Sequence, residues 1–149
     1  MDLPSLAKIL AVVCCGVFSG ARLYVTLVEH PARMECGTQL AVTQFGPSYR
    51  RATIMQAALA MIGSVLAVLV GIYYPQSGWL VAAAAFVSVV PYTLLVILPT
   101  NKALVDSSLG RSPKRARVLL VRWSYLHAVR TAVSLFAFVY LLYLTVGVK

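Results

Sequence analysis

Residues 52–101 read ATIMQAALAMIGSVLAVLVGIYYPQSGWLVAAAAFVSVVPYTLLVILPTN and contain no Asp, Glu, Lys or Arg. A helix needs about 20 apolar residues to cross the roughly 30 Å hydrocarbon core of a bilayer. This stretch is too long for one crossing and suits two, joined by the turn from Tyr73 to Trp79. Pro75 and Gly78 break the helix there, and the aromatic residues of the turn are typical of a membrane interface.

The rest of the chain extends the membrane pattern. Of its 149 residues 60% are hydrophobic and 11% are charged, against about 25% charged in a soluble domain. Two further apolar runs, at about 6–28 and 118–146, flank the spans at about 52–73 and 79–98. We therefore expect a single-domain all-α membrane protein, an antiparallel four-helix transmembrane bundle.

Prolines and acids indicate where the spans begin. Gly46-Pro47-Ser48 precedes the second span and Ser112-Pro113 the fourth, and each pattern predicts a helix start with proline in the first turn. The first run carries Asp2 and Pro4 where a signal peptide would carry basic residues. We therefore expect that run to be retained as a span.

The charge distribution excludes nucleic acid as a partner and predicts an orientation in the membrane. The formal net charge is +9, but the basic residues flank apolar spans and form no soluble basic face. Four spans place two long loops on one side, and cationic loops usually face the cytoplasm. That side carries eight basic residues: Arg33, Arg50, Arg51, Lys102, Arg111, Lys114, Arg115 and Arg117. Lys8 and Lys149 lie on the other. An integral, multi-pass protein with cytoplasmic loops and extracytoplasmic termini is predicted.

Small residues in the first span indicate close packing. Cys14, Cys15 and Cys36 form neither a CxxC motif nor a zinc spacing, and the adjacent pair is predicted to pack in the bundle. Gly16 and Gly20 form a GxxxG motif, which lets two helices approach closely. The motif fits either an internal contact of the bundle or a homodimer.

Polar residues inside the fourth span point to a common face. Trp123, His127 and Arg130 stand at i, i+4 and i+7, which is one side of a helix. Arg122 points elsewhere. An ionisable residue inside a span costs several kcal/mol unless it faces a cavity or a partner.

Polar residues of other spans arrive at the same half of the bundle. Arg22, Tyr24 and His30 lie at the loop-side end of the first span, and Asn101 lies at that end of the third. A polar cluster in one half of an apolar bundle predicts a pocket. Gln56 and Tyr92 could also reach it. Each member has a structural alternative as well: snorkelling for the arginines, core packing for His127, capping of an interfacial turn for His30, helix capping for Asn101, and an interface anchor for Trp123.

The motifs resemble those of a known family. Pro99-Thr100-Asn101, followed by Trp123-Ser-Tyr-Leu-His127-Ala-Val-Arg130, is similar to the pattern of the small four-span anthrone oxygenase-like proteins. The stretches Gly20-Ala-Arg22-Leu-Tyr24 and Glu29-His30-Pro31 match more loosely. The resemblance covers essentially the whole chain.

The resemblance implies cofactor-independent oxidation of an anthrone-type aromatic to a quinone by O2. By that resemblance His127, Arg130 and Asn101 are catalytic positions, and Trp123, Arg22, His30 and Tyr24 bind an apolar or aromatic substrate, with no metal. The chemistry of the residues is compatible. Histidine is a natural base near neutral pH, a guanidinium or amide can stabilise an oxyanion, and an indole provides a flat apolar wall.

Two other functions remain open from the sequence. The first is a non-enzymatic lipid- or sterol-binding protein or assembly partner, whose arginines would bind the phosphates of membrane lipid. The second is a haem- or metal-binding protein that uses His30 and His127 as ligands.

Overall fold

Four long helices form the molecule, which we describe from a computed structural model over residues 2–75, 78–106, 108–109 and 112–147. They are α1 (Leu3–Glu35), α2 (Thr38–Tyr73), α3 (Trp79–Val105) and α4 (Pro113–Gly147). Each is long and apolar enough to cross a membrane, and the described residues contain no strand. The expected all-α bundle is confirmed, and the architecture is that of a multi-pass membrane protein.

The helices form a ring in which each packs mainly against two neighbours. α1 contacts α2 and α4, and α3 contacts the same two helices from the opposite side. Two apolar clusters fill the centre. The terminal-side core lies towards the chain termini and includes Cys15, Phe18, Trp79, Phe86 and Leu141. The loop-side core includes Phe45, Ile97, Leu104, Leu120 and Trp123. Because the side chains of the two cores pack against one another, a binding site is expected in the region between the cores.

A two-residue turn at Cys36–Gly37 reverses the chain between α1 and α2. Gly37 adopts φ +90°, a backbone conformation that side-chain-bearing residues rarely adopt. The short connection forces the two helices to run antiparallel and side by side.

The predicted helix start at Pro47 is wrong. α2 begins at Thr38 and continues through Pro47 without interruption. Pro47 removes the backbone donor that the carbonyl of Thr43 would receive, but both residues are exposed, so water can serve that carbonyl. The start predicted at Ser112-Pro113 matches the structure, since α4 begins at Pro113. Gln76 and Ser77 of the predicted turn lie outside the described residues.

Two π-helical segments interrupt α1 and α3 at matching places. They are Val25–Glu29 in α1 and Thr93–Ile97 in α3, and each ends two residues before a proline, Pro31 or Pro99. A π-segment adds one residue to a helical turn and so redirects the side chains beside it. Both segments contribute to the central cavity described below.

The basic residues assigned to the loop side are not all surface cations. Six are exposed: Arg50, Arg51, Lys102, Lys114, Arg115 and Arg117. Arg33 is instead buried and pairs with Glu29. Arg111 and Lys149 lie outside the described residues.

The two glycines of the GxxxG motif have different surroundings. A Cβ placed on Gly16 would lie 2.8 Å from Cε2 of Phe138 in α4, whereas a Cβ on Gly20 would meet nothing within 4 Å. The close contact at Gly16 is therefore internal to the bundle, and an internal packing role for Gly20 is wrong. A homodimer stays a prediction. Of the neighbouring cysteines, Cys15 is fully buried and Cys14 is half-buried.

We expect Gly16→Leu to destabilise the bundle and Gly20→Leu, one turn further along the same helix, to leave it unchanged. A side chain at Gly16 must displace the Phe138 ring, and overpacking of this kind typically costs about 1–3 kcal/mol. Thermal melting in detergent, followed by circular dichroism, measures the difference. Equal melting temperatures for the two variants would show that Phe138 moves aside freely.

Candidate active site

A central cavity of about 550 Å³ lies between the two cores and receives side chains from all four helices. Its polar lining includes Arg22, Glu29, Asn101, His127 and Arg130. Phe18, Phe45, Tyr49 and Trp123 provide aromatic walls. The volume falls within the roughly 300–1,000 Å³ of typical small-molecule pockets.

His127 lies at the cavity with one ring nitrogen held by hydroxyl groups. Its Nδ1 is 3.0 Å from Oγ1 of Thr26 and 3.3 Å from Oγ1 of Thr131. Thr26 donates to the carbonyl of Arg22 and Thr131 to that of His127, both at 2.9 Å, and the two hydroxyl oxygens lie 3.0 Å apart. Two hydroxyl hydrogens cannot serve all of these contacts.

A proton on Nδ1 of His127 supplies the missing donor. The neutral ring then donates from Nδ1 to Thr26 Oγ1, and Nε2 keeps its lone pair. Nε2 makes no hydrogen bond with the described residues and is not among their enclosed polar atoms without a partner. The arrangement therefore favours the tautomer whose basic nitrogen is Nε2.

Asn101 positions the indole that forms one wall. Its Oδ1 accepts a hydrogen bond of 2.8 Å from Nε1 of Trp123, and both side chains are buried. With Oδ1 engaged, the amide nitrogen of Asn101 remains a donor for the cavity. Phe45 contacts the same indole edge to face, with ring centroids 5.3 Å apart.

His30 packs against Trp123 and does not line the cavity. The indole contacts the His30 ring, at 5.1 Å between centroids, and also the His127 ring, at 4.5 Å. His30 is buried, and its Nδ1 has no hydrogen-bond partner among the described residues. Both imidazoles pack against the indole, and of the two only His127 lines the cavity. A haem or metal ion held by both histidines stays a hypothesis. The described residues contain no cluster of three or more potential metal ligands.

Two arginines extend into the cavity from different helices. Arg22 is only 4% exposed, and its guanidinium lies over the Phe18 ring, 3.9 Å from the centroid. Arg130 donates from Nη1 to Oγ1 of Thr93 at 3.2 Å. Arg122 is exposed and does not line the cavity, in agreement with its predicted position off the common face.

Glu29 and Arg33 form an ion pair that the sequence reasoning did not identify. Glu29 Oε1 also accepts hydrogen bonds from Ser48 at 3.0 Å and Gln44 at 3.3 Å, which joins α1 to α2 beside the cavity. The i, i+4 spacing of Glu29 and Arg33 was visible in the sequence. Their position was not, because it depends on the π-segment and on the continuation of α1 beyond the predicted span.

The remaining predicted positions divide between the cavity and its surroundings. Tyr24 contributes to the cavity lining although 56% of its surface is exposed. Gln56 lines the cavity as well. Tyr92 does not, and its hydroxyl instead donates to the carbonyl of Leu126 at 3.4 Å. Thr26, Thr93 and Thr131 were not singled out, since isolated threonines in apolar spans carry no recognisable signal.

Comparison with known proteins places the chain in a family. The profile of the anthrone oxygenase family matches residues 45–140, a segment that includes Asn101, Trp123, His127 and Arg130. The chain is 31% identical to the anthrone oxygenase tpcL of Aspergillus fumigatus, over 81% of each chain. It is 26% identical to an anthrone oxygenase of Claviceps purpurea, over 80% of this chain and 78% of the relative. It is 29% identical to the anthrone oxygenase gedH of Aspergillus terreus, over 75% of this chain and 81% of the relative.

The chain thus belongs to the anthrone oxygenase family, as its motifs indicated. No solved structure matches it.

We expect Asn101→Leu to lower the melting temperature more than the double change Asn101→Leu with Trp123→Phe. The single change leaves the buried indole N–H without an acceptor, at a cost of about 1–3 kcal/mol, whereas the double change removes both partners. A double-mutant cycle in detergent measures the coupling, with Trp123→Phe as the fourth corner. Additive effects would show that the Trp123–Asn101 hydrogen bond does not hold the wall in place.

Proposed function

We propose that this protein is a membrane-embedded oxygenase that oxidises an anthrone-type aromatic to a quinone with O2. One observation carries the proposal: His127 lines an aromatic-walled cavity, its Nε2 makes no hydrogen bond with the described residues, and two threonine hydroxyls lie within hydrogen-bond distance of its Nδ1. Membership of the anthrone oxygenase family supports the same reaction class.

The first step is a proton transfer to His127. The methylene of an anthrone is acidified by the ring carbonyl opposite to it, so a neutral imidazole can remove one of its protons. The electron pair of the C–H bond moves into the ring system as an enolate. The hydroxyl of Thr26 accepts the Nδ1–H and so stabilises the imidazolium that forms.

Oxygen is then reduced by the substrate itself. The enolate carbon forms a bond to O2, and protonation gives a carbon-bound hydroperoxide. Removal of the remaining hydrogen from that carbon breaks the O–O bond and releases water. One oxygen atom stays as the new carbonyl and the other leaves in water, so atoms and electrons balance. Written in this way, the reaction needs no cofactor, because the substrate carbanion supplies the electrons.

Donors at the cavity can stabilise the negative charge that develops on the enolate oxygen. The candidates are the guanidinium groups of Arg130 and Arg22 and the amide nitrogen of Asn101. Fixed donors in an enclosed site stabilise a developing oxyanion more strongly than water does. Trp123 and Phe45, which contact each other edge to face, supply a rigid apolar wall for a flat ring system.

We expect His127→Ala to abolish anthrone-dependent O2 uptake in protein that still folds. Arg130→Lys should also be strongly impaired, because an ammonium cannot reproduce the planar donor fork of a guanidinium. Arg122→Lys is the matched control, since Arg122 lies exposed on the same helix. An oxygen electrode with an anthrone as substrate measures the rates, and circular dichroism checks the fold.

The comparison with Arg122 also gives the outcome that would contradict the proposal. A protein in which Arg122 is essential while His127 and Arg130 tolerate substitution would not use this cavity for chemistry. A non-enzymatic lipid-binding protein would then be the better account, because its function would depend on surface cations near the lipid phosphates.

We further propose that the turn between α1 and α2 and the connection between α3 and α4 face the cytoplasm, and that both termini face the opposite side. The exposed cations on the loop side, Arg50, Arg51, Lys102, Lys114, Arg115 and Arg117, support this orientation. Cys36 is exposed in the turn between α1 and α2 and provides a natural probe of the same side.

We expect Cys36 to react with a membrane-impermeant maleimide only after the cell membrane is opened. The same result is expected for the thiol that Ser112→Cys introduces in a Cys36→Ala background, because both positions lie on the loop side. The Cys36→Ala chain without the new thiol controls for reaction of Cys14 and Cys15. Labelling of the Ser112→Cys variant in intact cells would indicate the opposite orientation and contradict the proposal.

A further inference from the structure

Two guanidinium groups in the central cavity lack an anionic partner among the described residues. Arg22 has both Nε and Nη1 enclosed and without a hydrogen-bond partner. Arg130 has an enclosed Nε without a partner and donates one hydrogen bond from Nη1 to the hydroxyl of Thr93. Both line the same cavity.

The carboxylate that lines this cavity is already engaged. Glu29 pairs with Arg33 and accepts two further hydrogen bonds, from Ser48 and Gln44. The charges of Glu29 and Arg33 cancel, and those of Arg22 and Arg130 remain. The cavity therefore carries an excess of two positive charges at neutral pH, counted over its described lining.

This excess does not match a substrate that is neutral before reaction. A neutral anthrone would leave both charges uncompensated, and its enolate would compensate only one of them. Uncompensated charge is unfavourable where it is shielded from water, as it is at the enclosed nitrogens of Arg22 and Arg130. A substrate that already carries one negative charge would balance one arginine on binding and the second when the enolate forms.

We propose that Arg22 and Arg130 form an anion-binding subsite, and that the natural ligand is a planar aromatic acid with a carboxylate or an ionised phenol. The inference rests on the proposed function for the ring system, but binding at this subsite does not require the chemistry at His127. Arginine suits the role because its planar fork binds a carboxylate through two parallel hydrogen bonds.

The surroundings of the two arginines favour an aromatic acid over a lipid phosphate. Arg22 is enclosed and packs over Phe18, and the same cavity is walled by Phe45 and Trp123. The exposed cations Arg50 and Arg51 on α2 are the ones placed to meet lipid headgroups. A flat ring with an anionic edge fits a cavity that combines aromatic walls with enclosed guanidinium nitrogens.

Equilibrium binding to the purified full chain in detergent at about pH 7.5, where a benzoic acid is fully ionised, tests the subsite. The probes are anthraquinone-2-carboxylate and the neutral anthraquinone-2-carboxamide, which share the ring system and differ in charge. We expect the carboxylate to bind about tenfold more tightly or better, as one charge-assisted pair provides. Equal affinity of the unmodified protein for the two probes would overturn the proposal without any variant.

Single substitutions assign the preference to residues. Arg22→Gln and Arg130→Gln should each lose most of the preference for the carboxylate and keep affinity for the carboxamide. Arg122→Gln, which alters an exposed cation on α4, should keep the full preference. An equal loss in Arg122→Gln would indicate surface charge and would overturn the proposal.

His127→Gln separates this inference from the proposed function. This variant should bind the carboxylate with the unmodified preference although it cannot turn over. A retained preference in a protein that oxidises no anthrone would reject the oxygenase and keep the subsite. Turnover without any preference for acidic substrates would keep the oxygenase and reject the subsite.

Lipid is tested as the competing source of the anion. In nanodiscs of phosphatidylcholine the carboxylate should bind as it does in detergent, and an admixture of phosphatidylglycerol should not displace it. Competitive displacement by phosphatidylglycerol, lost in Arg22→Gln, would make the subsite a lipid headgroup site and overturn the proposal.

Discussion

Polar groups inside a bilayer have no water to bind, and this constraint explains where the side chains of this protein lie. Exposed positions on the four helices are mostly apolar, and several polar side chains of the spans lie inside the bundle and contact one another. Ser19 donates to the carbonyl of Ser134 at 2.9 Å, which ties α1 to α4 inside the bundle. Thr26 of α1 and Thr131 of α4 also contact each other, and Thr26 contacts His127, so a seam of hydrogen bonds runs between these two helices. The catalytic proposal depends on this seam, because it fixes the imidazole.

The π-helical segments supply the local geometry that a regular helix would not. The one in α1 carries Thr26 and Glu29, and the one in α3 carries Thr93. These residues hold His127, Arg33 and Arg130 respectively. Segments of this kind are frequent at functional sites, because the extra residue changes the direction in which neighbouring side chains project. The cavity thus depends on two interruptions of otherwise regular helices.

Trp123 links the cavity to the loop-side core. Its indole donates to Asn101 and contacts the rings of His127, His30 and Phe45. The chemistry of the site is therefore not separable from its packing: a change at Trp123 alters the wall, the amide orientation and the imidazole contact together. The guanidinium groups of Arg22 and Arg130 are the exception, since each keeps at least one enclosed N–H without a partner among the described residues. Such groups reduce stability and are retained where function needs them.

The bundle and the face of α4 that carries Trp123, His127 and Arg130 were predictable from the residues alone, because hydrophobic runs and helical spacing are local properties of the chain. The family motifs were legible in the same way. The three-dimensional arrangement was needed for the rest. It showed that His30 packs against the indole, that α2 begins before Pro47, and that Gly16 and Gly20 have different surroundings. It brought Thr26 to His127 across 101 positions of sequence. Contacts of this kind depend on helix rotation and on π-segments, and neither leaves a periodic signal in the residues.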